Sequence, residues 1–500
     1  MKMSPLYAVL DLGSNSFHML ITRLVANSVQ TVDKVKRKVR LASGLNQENK
    51  LSKNAMLRGL ECLHFFAERL QDIPPDNIRI VATATLRLAT NSQEFIDKAE
   101  KVLGHRIIIL SGTQEAESIY LGVAHTSASE DKRLVLDIGG ASTELIVGNA
   151  FDAIKVCSIN MGCVTFNQQY FVGGELSKNN MNQAKDAAKV LLAPFVDDYK
   201  LIGWQSVLSS SGTIQALAEI LRSNHQPAII SLPFLYSLER ALINSKNIDN
   251  IAITGLSHDR QPVFSSGLAI LIAVFEMLDI TDLQLSSGAL REGLLYEMLP
   301  SMRKINIRQR TVNSIAERFH VDKEHASRVS KQAQLMFDSF AQHLPLQKDN
   351  SFKLLLASCA LHEIGLLLEF KNHQEHGAYI IKNADLPGFD QVDKQLLAIF
   401  IQLQKSNIDL IKLKEQTATN YDNSCYLLII FRLAIIFCQR RNDNELPAIM
   451  TDISNRNITL RLPQIWLKTH PLMIDDLTQE SVYLSTIGMS LTLLDDLNLE

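Results

Sequence analysis

One pattern occurs twice in this chain, and few folds can accommodate it. Residues 134–148 read LVLDIGGASTELIVG. An apolar run, Leu134, Val135 and Leu136, leads into Asp137. Gly139 and Gly140 follow, then Ala141, Ser142, Thr143 and Glu144, then a second apolar run. Short apolar runs flanking paired glycines predict strand, tight turn, strand. Residues 7–23, YAVLDLGSNSFHMLITR, repeat the layout: Asp11 closes an apolar run, Gly13 stands where Gly139 does, Ser14 and Asn15 occupy the turn, and 17–24 form a second strand. The repetition predicts an internal duplication. Glycines in such a turn let several backbone N–H groups converge on an anion. Ser142 and Thr143 add hydroxyls, and Asp137 and Glu144 add carboxylates for a metal ion or a water. A single turn of this kind is also compatible with a plain hairpin. Two of them facing each other would close on a chain of phosphates from both sides.

Composition bounds the remaining choices. Five hundred residues exceed one ordinary core and predict three or four domains. A formal net charge of −3 leaves no global field to recruit nucleic acid or an anionic membrane, so neither is expected as a partner. A polyanionic ligand must then be held by local basic groups and a metal. The six cysteines, Cys62, Cys157, Cys163, Cys359, Cys425 and Cys438, form no CxxC pair, which points to a reducing cytoplasm. Asp11 interrupts the first apolar run too early for a signal peptide. The apolar stretches 267–278 and 427–438 are short for a bilayer span, and Arg432 interrupts the second.

Along the chain, 28–35 reads as a third strand, followed by the basic run KVKRKVR at 34–40, either a solvated face or an anion-attracting rim. Residues 52–70 have helical spacing, with Leu57, Leu60, Leu63, Phe66 and Leu70 on one face and Ser52 as N-cap. Arg87 follows a strand over 77–85; it could pair with a surface carboxylate or fork onto phosphate oxygens. A strand over 106–110 opens a helix in which Ser111 and Gln114 make a capping box and Glu115 lies in the first turn, where the helix dipole alone would favour an acid. A strand over 206–211 meets a helix at Gly212 and Thr213. Arg260 precedes the apolar helix 267–278, and Arg291 lies in GALREG as either a site residue or a structural ion-pair partner. Residues 302–310 read as a basic linker, beyond which the chain is nearly all helix until an alternating segment at 457–462.

The paired loops resemble the actin, Hsp70 and sugar-kinase superfamily. Within it, DLGSNSFHML, KRKVRLASGL, VATATLR, DIGGAST, SSSGT and GALREG together resemble the exopolyphosphatase and guanosine pentaphosphate phosphohydrolase family. VATATLRLATN, GVAHT and DIGGAST, with Ala141 in place of a third glycine, are closer to the second branch. The motifs are dense to about residue 300 and looser beyond.

The resemblance implies an α/β fold of two actin-like (ribonuclease H-like) domains, 1–127 and 128–302, followed by an all-α degenerate HD-like domain over 303–440 and a small C-terminal domain over 441–500. It implies a hydrolase acting in the stringent response that takes the terminal 5′-phosphate from guanosine pentaphosphate, or, as the alternative, terminal phosphate from inorganic polyphosphate. Glu115 falls on the family's water-activating glutamate; the acid that often precedes it is Gln114 here. Arg87 would stabilise the terminal phosphoryl group. Asp11, Gly13, Ser14, Asn15, Gly139, Gly140, Ala141, Ser142, Thr143, Gly212 and Thr213 would line the phosphates, Asp137 and Glu144 with Asp11 nearby would position Mg²⁺, and Arg260 would contact the guanosine substrate. A homodimer through the helical half is also implied. In that half His325, His362 with Glu363, and His376 resemble HD-type metal ligands, but Glu363 replaces the Asp of the motif and Ile435 its late Asp. Isoleucine cannot bind a metal, so these histidines are expected to be packing or surface residues. Two other classes stay open: a kinase or ATPase of the superfamily, and a non-catalytic alarmone-binding regulator.

Overall fold

The computed structural model describes residues 5–127, 131–299, 302, 306–442, 449–454 and 456–496. Its contacts divide the chain into two units, the first running essentially to Ile307 and the second from Arg308 to the end.

In the first unit, β1 (Leu6–Leu12), β2 (Ser16–Val25) and β3 (Ser28–Lys38) precede α1 (Lys53–Leu70), β4 (Ile78–Ala82), α2 (Ala84–Leu88), α3 (Ser92–Leu103), β5 (Ile108–Ile109) and α4 (Gly112–Ala124). Then come β6 (Arg133–Ile138), β7 (Thr143–Asn149), β8 (Asp152–Ile159), α5 (Cys163–Tyr170), α6 (Lys178–Ile202), β9 (Ser206–Ser209) and α7 (Gly212–Ser223). β10 (Ile229–Ser231), α8 (Leu232–Ser245), α9 (Gln261–Leu278), β11 (Asp282–Leu285) and α10 (Leu290–Glu297) complete it.

The duplication is present in the topology. One sheet has the order β3-β2-β1-β4-β5, and the other, read from its far edge, β8-β7-β6-β9-β11-β10. In each, an antiparallel hairpin leads to a strand paired in parallel with the next. The two registers match at the turns: Asp11 pairs with His18 and Leu12 with Phe17, as Asp137 pairs with Glu144 and Ile138 with Thr143. α4 and α10 carry a core that draws Val9 and Val81 from the first sheet and Val135 and Ile146 from the second. The helices touch through glycines. A Cβ on Gly122 would lie 2.0 Å from the Ala289 carbonyl oxygen, and one on Gly293 only 1.7 Å from that of Ser118. No side chain fits there, so the backbone of α4 is pinned against α10.

Several elements differ from the sequence expectation. On α1 the buried face is Ala55, Met56, Gly59, Cys62, Leu63, Phe66 and Leu70, while Leu57 is exposed. The basic run begins inside β3, which extends to Lys38. Arg87 lies within the short helix α2. The strand expected over 106–110 shrinks to two half-exposed isoleucines at a sheet edge. α9 starts at Gln261 and reaches 18 residues, long and apolar enough by composition to cross a bilayer, yet most of it is buried in the first unit. All six cysteines are free and buried.

The second unit contains α11 (Ile307–Arg318), α12 (Lys323–Phe340), α13 (Asn350–Leu361), α14 (His373–Asn383), α15 (Gln391–Gln402), α16 (Leu410–Glu415) and α17 (Tyr421–Phe437). β12 (Met450–Ser454), β13 (Asn457–Pro463), α18 (Gln464–Thr469), α19 (Pro471–Ser485) and β14 (Ser490–Asp496) follow. α11 takes over the last part of the expected linker, from Ile307; residues 300, 301 and 303–305 lie outside the described residues. The tail forms a three-stranded sheet, β12-β13-β14. One hydrophobic core runs from Val312 through Phe431 to Leu491, so helices and tail share it. Arg432, the charge within the apolar helix α17, is the bolt between them. Its Nε and Nη2 donate to Glu480 on α19, each at 2.7 Å, and its other N–H groups reach the carbonyls of Leu403 and Ser406.

Both partners of this fork are nearly solvent-free. Removing one leaves the other's charge buried and uncompensated, which typically costs ~3–5 kcal/mol. Glu480→Ala should lower the stability of the second unit by that order, measured by urea unfolding with far-UV circular dichroism.

Candidate active site

The two glycine turns meet. A Cβ on Gly140 would fall 2.7 Å from Cβ of Ser14 and 3.6 Å from the backbone nitrogen of Asn15, so the second turn abuts the first. Each turn is braced from behind. The carbonyl of Asn15 accepts from the N–H groups of Val39 and Arg40, and that of Ser14 from Ala42. The carbonyl of Gly139 accepts from Cys163 and that of Gly140 from Val164, at the start of α5. Gly139 donates its own N–H to the Ser142 carbonyl at 2.9 Å, and the Thr143 hydroxyl donates to Met161 at 2.5 Å. Those two groups, expected to face phosphate, hold the turn together instead. The N–H groups of Gly13, Ser14, Asn15, Gly140, Ala141 and Ser142 have no partner among the described residues, and remain for an anion.

Four carboxylates surround this junction, and their electrostatics are mutual. Burial raises Asp11 to about 6, relieved by Arg291 and reinforced by Glu292. Burial, then the charges of Glu115 and Asp11, raise Asp137 to about 7. Burial and Asp137 raise Glu144 to about 7, against hydrogen bonds from Ser142 and Ser158. The Ser158 hydroxyl donates to Glu144 at 2.7 Å. Glu115 is raised well above the usual carboxylate range by burial and by Glu144, although Arg87 donates to it at 3.0 Å. Burial and like charge outweigh that ion pair. Anions crowded in this way, out of water, would be stabilised by a cation.

The donor set fits a hard divalent ion. Oδ1 of Asp11 is buried with no hydrogen-bond partner among the described residues. The ligand atoms of Asp11, Asp137 and Glu144, all three among the described residues, do not converge into a closed three-ligand cage. Mg²⁺ uses few carboxylates and keeps water or phosphate oxygens in its shell, so these acids could hold it without forming such a cage.

Arg87 is placed by its own fork: Nη1 donates to the Leu110 carbonyl at 2.8 Å as well as to Glu115. Its Nη2 lies near Gly112 at the start of α4. The capping box of Ser111 and Gln114 sets that helix start, with Ser111 accepting from Gln114 N–H and Gln114 Oε1 from Ser111 N–H. Gln114 thus caps the helix, and Glu115 beside it is free to face the acids.

A basic rim lies beside the turns. The end of β3 runs to the Asn15 loop, and Lys38 and Lys34 pair with Asp259 and Glu292. Lys36 is lowered by burial and then by the cations Arg260 and Arg291. A Cβ on Gly212 would collide with the Arg260 guanidinium, so Arg260 covers the start of α7 beside Gly212 and Thr213. His18, opposite Asp11, is pushed down to about 3 by burial and by Arg291, Lys36 and Arg260. Lys36 belongs to the basic run expected as a solvated face or an anion-attracting rim, and its nearness to Arg260 and Arg291 favours the rim; His18 escaped the sequence reading. The available signal was the duplication: His18 occupies the register position of Glu144. Arg291, left undecided from sequence, acts on Asp11, Asp137 and His18.

A duplicated α/β fold thus brings its two glycine turns together with buried acids around them, the architecture of a hydrolase family. The model of the Ppx/GppA phosphatase family matches residues 20–302, and that of Ppx/GppA phosphatase domain III matches 307–481. The chain belongs to the Ppx/GppA phosphatase family. It is 46% identical, over 98% of both chains, to guanosine-5'-triphosphate,3'-diphosphate pyrophosphatase of Photobacterium profundum. It is also 46% identical to the protein of that name from Pseudoalteromonas translucida, over 97% of both chains. Among solved structures, an exopolyphosphatase from Cytophaga hutchinsonii aligns with TM-score 0.55 at 25% identity, covering 59% of this chain and 98% of that one. A PPX-GPPA enzyme of Aquifex aeolicus, at 19% identity and TM-score 0.50 over 59% and 99%, shares the fold.

The raised Asp137 has a measurable consequence. A carboxyl moved from 3.8 in the unfolded chain to about 7 in the fold costs stability at pH above both values and nothing below them. In chelator-treated protein, Asp137→Asn should therefore raise Tm at about pH 8, by on the order of a few kcal/mol in stability. That gain should shrink as pH falls through 7 toward the ordinary carboxylate range, followed by differential scanning fluorimetry across pH.

Proposed function

We propose that this chain hydrolyses the terminal 5′-phosphate of guanosine pentaphosphate, giving guanosine tetraphosphate and orthophosphate, as part of the stringent response. The observation that carries the reading is the buried set of acids at the junction of two facing turns, with Glu115 in the first turn of α4 paired to Arg87 in the last turn of α2. The full-length similarity to proteins named for this substrate supports it.

The triphosphate end lies between the turns, held by the N–H groups of Gly13, Ser14, Asn15, Gly140, Ala141 and Ser142. Glu115 takes the proton of the attacking water. Burial and the neighbouring Glu144 raise its affinity for a proton, the direction that favours a general base. Arg87 orients Glu115 and retains donors for the terminal phosphoryl oxygens. Asp137 and Glu144, with Asp11, would hold Mg²⁺, which neutralises phosphate charge when bound. The rim of Lys36, Arg260 and Arg291 suits a substrate that carries charge beyond its triphosphate. Gly212 and Thr213, under Arg260, border the same end.

The second reading is release of terminal phosphate from inorganic polyphosphate, favoured by the likeness to the Cytophaga exopolyphosphatase. The buried, free cysteines fit a cytoplasmic enzyme. Association as a homodimer through the helical half completes the reading.

Phosphate release should proceed from guanosine pentaphosphate with no acceptor present, at higher kcat/KM than from polyphosphate of any chain length. The reverse order would move the assignment to exopolyphosphatase, and a need for an acceptor would make it a kinase. Glu115→Gln should cut kcat by ~10²–10⁴-fold while substrate affinity, read by calorimetry, holds. Asp137→Ala should in addition shift the Mg²⁺ titration of activity to higher concentration.

A further inference from the structure

The second unit contains a cluster that the phosphate crevice does not use. His325, in the first turn of α12, is 3% exposed; His362, at the end of α13, is 2% exposed. Their rings lie 5.3 Å apart between centroids. Glu363 follows directly, with Oε1 3.9 Å from Nε2 of His325. One ligand atom from each of the three residues lies within 4.8 Å of the other two. His376 is elsewhere, exposed and paired with Glu369. Two of the histidines expected only to pack or face solvent are therefore gathered around one carboxylate.

We propose that His325, His362 and Glu363 bind a transition-metal ion of the Zn²⁺ class. The donor set is two imidazoles and a carboxylate, a combination that Zn²⁺ accepts with water completing its shell. Ligand atoms around such an ion stand about 3–3.5 Å apart, so the 3.9 Å gap between His325 and Glu363 closes with a small side-chain movement. His362 is already oriented for it. Its Nδ1 lies 2.8 Å from the Cys359 carbonyl, which can only accept, so that nitrogen holds the proton and Nε2 presents its lone pair. A backbone carbonyl on the far nitrogen is the usual way a metal-binding imidazole is set. Nδ1 of His325 is buried and has no hydrogen-bond partner among the described residues. Burial also depresses both imidazoles to about 4, which keeps them neutral and able to ligate at pH 7. Ile435, at the position where an HD-type site would supply its late acid, rules out a fourth ligand there.

In this structure the positive charge beside Glu363 comes from Arg441, which donates to Glu363 and, at 2.9 Å, to Asp322. Its side chain is 43% exposed and can withdraw into solvent. Arg441 and the ion would then compete for one carboxylate.

The test is titration of the full chain with Co²⁺, a spectroscopic stand-in for Zn²⁺, in saturating Mg²⁺ so that the acids of the crevice face a hard ion. Wild type should develop a visible d–d band saturating at one equivalent, and Zn²⁺ should bleach it. His325→Gln and Glu363→Gln should each weaken binding by at least the ~10–100-fold that loss of an outer-sphere partner costs. Arg441→Gln, at the surface, should tighten it. Circular dichroism identifies any variant that has lost its fold, and Glu363→Gln, on the more accessible side chain, then carries the result. Absence of a one-equivalent band in wild type, unchanged binding in folded His325→Gln or Glu363→Gln, or weaker binding in Arg441→Gln would each overturn the proposal. All of these readings are independent of turnover, so they stand or fall apart from the hydrolase assignment.

Discussion

The first unit depends on holding together charges that repel. Asp11, Asp137, Glu144 and Glu115 converge from β1, β6, β7 and α4, and each raises the proton affinity of at least one other. Such an arrangement destabilises the fold at neutral pH and would relax apart if its supports allowed. The supports are rigid. Three of the acids sit at strand ends whose pairings continue into the buried sheets. The fourth is on α4, whose backbone is locked against α10 by Gly122 and Gly293, where no Cβ fits. The apolar core around these helices draws on both sheets at once. Hydrophobic packing therefore offsets an electrostatic cost concentrated at one point, and perturbed proton affinities of this kind cluster at functional sites.

Duplication explains both the symmetry of the crevice and its departures from symmetry. The two sheets share strand order and register, so Asp11 and Asp137 arrive at equivalent positions. The partners then diverge. Where the second half has Glu144 the first has His18, held neutral by burial and by nearby cations. One half thereby contributes acids and the other leads toward the basic rim of β3, with Lys36 close to Arg260 and Arg291. A polyanion needs both: a place for its counter-ion and a place for its own charge.

The second unit is built on a different balance. Its long apolar core takes in the helices and the C-terminal sheet alike, and the charge inside α17 is matched in full by Glu480 and two carbonyls. Buried charge here is paired, whereas in the crevice like charges remain crowded together. His325, His362 and Glu363 share features of both cases, buried like the first and incompletely partnered like the second.

Much of the fold could be read from the chain because its signals are local. Strand–glycine–strand periodicity, the Ser111–Gln114 capping box and the Ser52 cap depend on residues within a few positions of one another, and each is present in the structure. The duplicated turns, and with them Asp11 and Asp137, follow from that same local pattern. Other features were out of reach because they are long-range. Leu57 has the spacing of a core residue, but it is 56% exposed and faces solvent. Thr143 looked like a phosphate donor until the chain returned to place the Met161 carbonyl beside it. The facing of the two turns was anticipated from their repetition, but the approach of Lys36 to Arg260 and Arg291 and the gathering of His325 with His362 and Glu363 join segments remote in sequence with no such repeat to signal them. Backbone propensity is encoded residue by residue, whereas burial, charge crowding and ligand geometry exist only once distant segments pack. The sequence alone therefore determined the elements and the residue types at the turns, and tertiary structure decided which of those residues share a site.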